Sequence, residues 1–323
     1  MPERPACIGV LTSGGDAPGM NAAVRSVVRS AIAAGAEAVA IESGYQGLLE
    51  DSFRPMGLGD VGGILDRGGT FLGTSRSDRF NTPDGEAEAV EVLKRRGVTG
   101  LVVVGGDGSY RGAQALHDRG IATVGVPGTI DNDISGTDTA IGFDTALNTI
   151  ADAVGKVRDT ASSHERTFVI EVMGRRSGQL ATYAGLACGA DCILVPEIPY
   201  NLKDVCASVR QGIQRGKRHS IIVMAEGAGH AFKLAEEVGG ECGHEVRAVV
   251  LGHVQRGGSP SAFDRILASR MGAHAVRALL CGDSGVAIGL RRASMAVYPL
   301  PEAFQSTTPF REEIYELARV LAM

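Results

Sequence analysis

Apolar residues fall along this chain in short runs, most of them unbroken, separated by stretches with helical spacing. The runs are Cys7–Leu11, Gly100–Val104, Ala122–Val126, Thr167–Val172, Cys192–Val195, Ile221–Ala225 and Val246–Leu251. Runs of this length without polar alternation predict strands buried on both faces of a parallel sheet. Between them, Asn21–Ala33 places Val24, Val27, Val28, Ala31 and Ile32 on one helical face. Glu86–Arg96, Thr139–Arg158, Leu202–Arg215 and Ala262–Leu280 have the same spacing. Strand–helix alternation predicts an α/β fold with mostly parallel sheets and right-handed crossovers. No short repeat and no low-complexity linker interrupts it.

With 323 residues, 44% of them hydrophobic, the chain can bury a sizeable core, as one large domain or two moderate ones. A net charge of −5 argues against bulk nucleic-acid binding, which needs a basic face. No apolar run approaches the ~18 residues of a membrane span, and Met1–Pro5 has no signal-like apolar core. The six cysteines form no C-x-x-C pair. Cys188 and Cys192 have the spacing of one helix face, and Cys242 lies two before His244, but no four-ligand set follows. Scattered thiols suit a reducing compartment, so the expectation is a soluble cytoplasmic protein with no membrane or nucleic-acid partner.

Glycine is in excess, at 45 residues, and Arg outnumbers Lys by 27 to 5. Codon usage can produce both totals, so placement has to decide. The glycines follow the strand candidates, in Ser13-Gly14-Gly15-Asp16, Gly105-Gly106-Asp107-Gly108-Ser109, Pro127-Gly128-Thr129-Ile130-Asp131-Asn132-Asp133, Met173-Gly174-Arg175-Arg176-Ser177-Gly178, Glu226-Gly227 and Gly252-His253-Val254-Gln255-Arg256-Gly257-Gly258. In open α/β sheets the carboxyl ends of the strands form the ligand crevice. Plain turns account for one glycine each. They do not account for carboxylates, Arg and His in the same turns.

Bare amides at a helix N-terminus favour phosphate, and Asp107 among them suits a Mg²⁺ that bridges phosphates. Asp131 and Asp133 stand two apart. In an extended turn their carboxylates point the same way, one to take a proton from an attacking hydroxyl and one beside a metal. An Asx-rich turn with solvated carboxylates is the alternative. Arg166, Arg247, His253 and Arg256 suit a phosphate monoester. Walker, G-x-S-x-G and H-E-x-x-H motifs are absent from the sequence. Gly57–Gly62 matches G-x-G-x-x-G without a convincing strand before it. The combination points to phosphoryl transfer from a polyphosphate donor to a hydroxyl of an anionic acceptor.

Leu11–Asn21, Arg67-Gly68-Gly69-Thr70, the Gly-Gly-Asp-Gly-Ser turn, Pro127–Asp133 and Leu251–Pro260 together closely resemble the bacterial ATP-dependent 6-phosphofructokinases, nearly in register over residues 7–290. The resemblance implies two similar three-layer α/β lobes with the active site in the cleft between them. The expected nucleotide-binding lobe is 1–142 plus 255–305; the sugar-phosphate lobe is 143–254 plus 306–323. It implies transfer of the ATP γ-phosphoryl to the 1-hydroxyl of fructose 6-phosphate with Mg²⁺, in a homotetramer with shared active sites.

Carried over by motif, Asp131 is the general base, Asp107 the Mg²⁺ ligand and Asp133 its support. Gly14 gives an amide to the transferring phosphoryl, Arg76 bridges phosphates, and Thr129 and Arg175 meet the developing charge. Tyr45 and Ser77 flank the nucleotide, with Gly106, Gly108 and Ser109 in the phosphate turn. Met173, Gly174, Glu226, His253 and Arg256 face the sugar phosphate, and Arg166 and Arg247 reach in from a neighbouring subunit. Pyrophosphate-dependent relatives carry Asp where Gly108 stands and Lys where Gly128 stands, so both glycines favour ATP.

Arg25, Arg29, Arg158, Gly189, Asp191, Arg215, Lys217 and His219 match a second, effector phosphate cluster for ADP or phosphoenolpyruvate. Here Asp191 shortens a Glu, Arg215 replaces a Lys, and Leu58 stands where one branch carries an Arg. Basic residues solvating a subunit face are the alternative. The rival functions are a pyrophosphate-dependent or other sugar-phosphate kinase, and a nucleotide sensor without catalysis.

Overall fold

The computed structural model describes residues 7–305 and 308–322. Residues 306, 307 and 323 of the expected second lobe, and the Met1–Pro5 segment, lie outside them. In chain order the elements are β1 (Cys7–Thr12), α1 (Met20–Ala33), β2 (Glu37–Ile41), α2 (Gly44–Leu49), β3 (Phe53–Pro55), α3 (Pro83–Arg95), β4 (Gly100–Gly105), α4 (Asp107–Asp118), β5 (Ala122–Pro127), α5 (Phe143–His164) and β6 (Thr167–Val172). There follow α6 (Gln179–Cys188), β7 (Cys192–Leu194), α7 (Leu202–Gln214), β8 (Ser220–Ala225), α8 (Ala231–Cys242), β9 (Val246–Val250), α9 (Ala262–Cys281), β10 (Val286–Arg291), β11 (Ser294–Pro299), α10 (Leu300–Gln305) and α11 (Glu312–Leu321).

The described residues form two compact units, drawn from Met1–Thr129, Ile134–Thr145 and Arg256–Thr308, and from Ile130–Asp133, Ala146–Gln255 and Pro309–Met323. The first holds a seven-stranded sheet in the order β11-β10-β5-β4-β1-β2-β3. Its strands are parallel except for the antiparallel pairs β2–β3 and β10–β11. Every residue of β1 and β4 is buried, as their unbroken apolar runs require. Leu101 and Val103 face a core shared with α2, α3, α4 and α10. By strand alternation Val102 and Val104 face the opposite side, where α1 and α9 pack together. Gly272 allows that close crossing, because a Cβ there would stand 2.8 Å from the Ala23 carbonyl. The order reverses between β1 and β4, so the loops after these two strands open on the sheet's switch point.

The second unit holds a parallel four-stranded sheet in the order β7-β8-β6-β9. Val169, Ile222 and Met224 pack with Val205, Val209, Leu234 and Val238 of α7 and α8. β9 lies at the sheet edge and exposes Arg247 and Val250.

The structure corrects two local expectations. Cys188 ends α6 and Cys192 opens β7, so they share no helix face; all six thiols are free. Asn132 has φ 52°, in the left-handed region, so the Asp131–Asp133 segment is not extended. Strand alternation therefore does not aim both carboxylates the same way. Gly57–Gly62 follows β3 but runs into turns, and the next helix is α3, so the dinucleotide pattern has no helix to open.

Candidate phosphoryl-transfer site

In the first unit three strand ends converge. The Ser13 amide donates to the Val104 carbonyl at 3.0 Å, and the Gly128 amide to the Gly105 carbonyl at 3.0 Å. These bonds set the turns after β1, β4 and β5 side by side. Gly14 has φ +86°, open to glycine at no steric cost, and a Cβ there would lie 3.3 Å from Ser109 Oγ. At Gly105 a Cβ would collide with the Ser13 carbonyl and with Ser109. Asp107 is the first residue of α4, half-buried, and Gly108 after it is exposed with nothing within 4 Å of its Cβ direction. The Gly106–Ser109 amides thus lie at a helix N-terminus, where the helix dipole favours an anion.

A loop the sequence had marked only by Arg67–Thr70 is fastened to this centre. Asn21, fully buried, donates through Nδ2 to the Arg67 carbonyl at 3.0 Å, and its Oδ1 accepts the Phe71 amide at 2.8 Å. Thr12 Oγ1 donates to the Gly73 carbonyl at 2.9 Å, and Thr74 Oγ1 to the Gly14 carbonyl at 2.8 Å. A cavity of about 380 Å³ lies beside it, lined by Asp16, Asn21 and the Arg67–Thr70 stretch. Arg256 NH1 sits 3.8 Å from Asp16 Oδ1 and lies against Gly15, where a Cβ would come within 2.8 Å.

Tyr45 is 6% exposed; its hydroxyl donates to the Ser109 carbonyl at 2.6 Å and its ring stacks on Phe80 at 4.1 Å. It supports the α4 turn from beneath. Burial pushes its pKa well up, so the hydroxyl stays protonated. Ser77 Oγ accepts the Phe80 amide at 3.2 Å, and Arg76 before it is exposed.

In the second unit the left-handed Asn132 is held by a reciprocal amide pair. Its Nδ2 donates to Gln179 Oε1 at 2.8 Å, and Gln179 Nε2 donates to the Asn132 carbonyl at 3.0 Å. Asp131 beside it is 5% exposed and Asp133 half-buried. Arg175 has φ 53°, and its amide donates to Glu226 Oε1 at 2.7 Å, which ties the turn after β6 to the turn after β8. The Met173 amide donates to Gln255 Oε1 at 3.2 Å, and Gln255 Nε2 to the Gly252 carbonyl at 2.9 Å. This fully buried glutamine places the Met173–Gly174 backbone beside the turn that carries His253, an exposed side chain. Gln179 and Gln255 were missed at the sequence level because a polar residue beside a glycine turn reads as solvated.

Arg166 and Arg247 meet on one carboxylate. Arg166 Nε donates to Glu245 Oε2 at 2.7 Å and Arg247 pairs with Glu245 Oε1. The Arg166 guanidinium first, and Arg247 after it, hold the Glu245 carboxyl below its usual range.

Against known families, the pattern described as Phosphofructokinase matches residues 7–279. The chain belongs to the phosphofructokinase family. An ATP-dependent 6-phosphofructokinase of Shouchella clausii is 53% identical over 316 residues, 98% of this chain and 99% of that protein. Among solved structures, phosphofructokinase from Saccharomyces cerevisiae superposes with a TM-score of 0.86 at 37% identity, over 97% of this chain. This chain spans 46% of that longer one. A pyrophosphate-dependent phosphofructokinase from Marinobacter aquaeolei gives a TM-score of 0.86 at 25% identity, over 95% of this chain and 86% of the other.

Within this phosphofructokinase fold the residues fit magnesium and a polyphosphate. Ser109 Oγ is buried with no hydrogen-bond partner among the described residues, 3.3 Å from where a Cβ of Gly14 would stand. A hydroxyl, a carboxylate and bare amides are the hard oxygen and N–H groups that Mg²⁺ and phosphate take. Gly128 differs from Gly108, since a Cβ there would press on Met20 Cε at 3.0 Å and Val104 Cγ1 at 3.1 Å.

The expected effector residues fall into two groups. Arg25 and Arg29 lie on α1 in the first unit, and Arg29 donates to the Leu58 carbonyl at 3.3 Å. In the second unit Arg158 donates to the Cys188 carbonyl, next to the left-handed Gly189. Asp191 pairs with Lys217 at 2.5 Å, and its other oxygen accepts the Ile221 amide at 2.8 Å. Arg215 caps α7 and is exposed; His219 is partly exposed. Asp191, Arg215 and Lys217 line a cavity of about 570 Å³ together with Tyr315, Glu316 and Arg319 of α11.

Among the described residues no helix is long and apolar enough to cross a membrane.

Proposed function

We propose that this chain is an ATP-dependent 6-phosphofructokinase that moves the ATP γ-phosphoryl to the 1-hydroxyl of fructose 6-phosphate, a step of glycolysis. The carrying observation is the strand-end turn Gly105–Ser109, with an unobstructed Gly108 and an N-terminal Asp107, in a chain 53% identical to a curated ATP-dependent enzyme over nearly its whole length.

In this reading the Gly14 and Gly106–Ser109 amides hold the ATP phosphates, and Arg76 bridges them. Asp107, supported by Asp133, holds Mg²⁺, which when bound offsets the charge of the phosphate oxygens. Asp131 takes the proton of the sugar 1-hydroxyl as its oxygen attacks, and the γ-phosphoryl passes to that oxygen with ADP leaving. Thr129 and Arg175 meet the charge that develops on the transferring group. Met173, Gly174, Glu226, His253 and Arg256 orient the sugar phosphate. Glu226 does so while fixing the Arg175 amide.

Arg166 and Arg247 serve the sugar 6-phosphate of a neighbouring subunit, in a cytoplasmic homotetramer. Glu245 holds both guanidinium groups, one on each carboxylate oxygen, until phosphate competes for them. Arg247→Ala is therefore expected to raise KM for fructose 6-phosphate about 10-fold, the scale of one ~1.4 kcal/mol contact, with kcat nearly kept. A change confined to KM for ATP in steady-state kinetics refutes the assignment. ADP and phosphoenolpyruvate are the proposed effectors of the Arg25, Arg29, Arg158, Gly189, Asp191, Arg215, Lys217 and His219 set.

The deciding experiment is a coupled assay with ATP or pyrophosphate as phosphoryl donor. Turnover with ATP and fructose 6-phosphate is expected. Turnover with pyrophosphate alone overturns the choice of ATP, and binding without turnover leaves a nucleotide sensor.

A further inference from the structure

Asp264, the third residue of α9, is a carboxylate with 0% exposure. Its Oδ1 accepts the Gly142 amide at 2.9 Å. Its Oδ2 accepts the Thr145 amide at 2.8 Å and the Thr145 hydroxyl at 2.5 Å. Gly142 directly precedes α5 and Thr145 lies in its first turn, so the carboxylate caps α5 from a different helix. Ser261 completes the knot. Its Oγ accepts the Asp264 amide at 3.2 Å and donates to Asp144 Oδ2 at 2.5 Å, while its amide donates to Thr145 Oγ1 at 3.0 Å. Burial pushes the Asp264 carboxyl pKa up; the Thr145 and Gly142 bonds pull it back, and the Asp144 charge adds to the rise.

A serine or threonine would satisfy a helix N-terminus without desolvating a charge. What a carboxylate adds is two oxygens that grip separate points of one segment. That segment carries the turn after β5. Ile141, next to Gly142, forms a parallel bridge with Gly128. The Thr129 amide donates to the Ile141 carbonyl at 3.0 Å, and the Ile141 amide donates to the Pro127 carbonyl at 3.0 Å. The turn before α1 rests on the same point, since a Cβ at Gly19 would stand 2.6 Å from Ile141 Cγ2 and 3.5 Å from Asp264 Cβ.

We propose that Asp264 is a positioning residue for phosphoryl transfer: through Gly142 and Ile141 it sets the place of the Pro127–Thr129 turn. It touches neither substrate. The inference rests on the roles given above to Thr129 and Asp131.

The test joins steady-state kinetics to amide hydrogen exchange on Asp264→Asn, Thr145→Val and Thr145→Ser. Asp264→Asn turns one acceptor into an N–H donor facing other donors. It is expected to lower kcat ~10–10²-fold, the cost of a misplacement near 1 Å, with both KM values within a few-fold. Exchange is expected to rise across residues 127–145 while β1 and β4 keep their protection. Thr145→Val, which removes only the hydroxyl, is expected to show the same pattern at roughly 3–10-fold, and Thr145→Ser to restore both readouts. If Asp264→Asn does not fold, the Thr145 pair decides alone. Wild-type kcat in a folded Asp264→Asn or Thr145→Val protein overturns the proposal. So does a loss accompanied by equally faster exchange in β1 and β4, which marks general destabilisation. An inactive wild-type protein overturns the functional reading instead, and the exchange data still decide whether Asp264 places the turn.

Discussion

Asp131→Asn is expected to lower kcat at least ~10²-fold while KM for both substrates stays near its wild-type value. The substitution suits the question because it keeps shape and size and removes basicity. Asp131 is 5% exposed, so a larger or smaller residue would disturb packing as well as chemistry. Its neighbour Asn132 holds the left-handed backbone through the two-way amide pair with Gln179. That pair involves no atom of residue 131, so the turn is expected to survive the change, which the thermal midpoint checks. A residue that only binds the sugar would show its loss in KM; a base acts in the transition state and shows it in kcat. Near-normal turnover by Asp131→Asn, with the wild-type thermal midpoint, removes Asp131 from its role. Gln179→Ala is the companion variant. It releases the backbone and leaves the carboxylate, so a kcat loss there reports placement of the base rather than its chemistry.

Most of the elements that the sequence announced share one property, an apolar pattern that is a consequence of burial; β9 is the exception, an edge strand with no buried residue that exposes Arg247 and Val250. β1, β4 and β8 are buried along their whole length and read as unbroken runs. The missed elements lack that signature for identifiable reasons. β2 is Glu-Ala-Val-Ala-Ile, and its alanines have little β preference. β10 and β11 form a hairpin whose two connecting residues, Arg292 and Ala293, have φ 49° and 67°. Asn-Gly or Asp-Gly is the usual mark of two consecutive left-handed residues, and neither is present. α8 carries Gly239 and Gly240 in its interior, which lowers its helix signal.

The candidate site divides in the same way. Gly14, Asp107, Gly108 and Asp131 stand out as candidates because unusual residue types follow strand runs. Gln179, Glu245, Gln255 and Asp264 do not, although each fixes a turn or a pair of arginines. Their role depends on what lies across from them in space, and an isolated Gln or Asp in sequence carries no sign of its partner. The error over Asp131 and Asp133 has the same origin: a single left-handed residue between them cancels the alternation that their spacing suggested.

Gly108→Asp is expected to raise KM for ATP by roughly 10²-fold or more, with the fold intact. An intact fold ties the loss to the ATP site. A Cβ at Gly108 meets nothing within 4 Å, and the position lies in the first turn of α4, just after Asp107. There an Asp replaces the flexible Gly in a helix and places a negative charge at the positive end of the dipole, both mildly stabilising. The thermal midpoint is expected to hold or rise. On the proposed reading, weakened ATP use then has one source, the repulsion between the new carboxylate and the ATP α-phosphate, a group that pyrophosphate lacks. At about 4 Å and an effective dielectric near 20, that repulsion is about 4 kcal/mol, enough for the stated change even after partial screening. Gly128→Lys cannot be read so cleanly, because its Cβ already presses on Met20 and Val104, and repacking of the core joins any effect on the phosphoryl donor. If donor choice resides in the turn after β4, Gly108→Asp alone shifts the balance from ATP toward pyrophosphate. An unchanged KM for ATP in a folded Gly108→Asp protein means that the phosphates do not pass over this turn, and the assignment of Gly106–Ser109 fails with it.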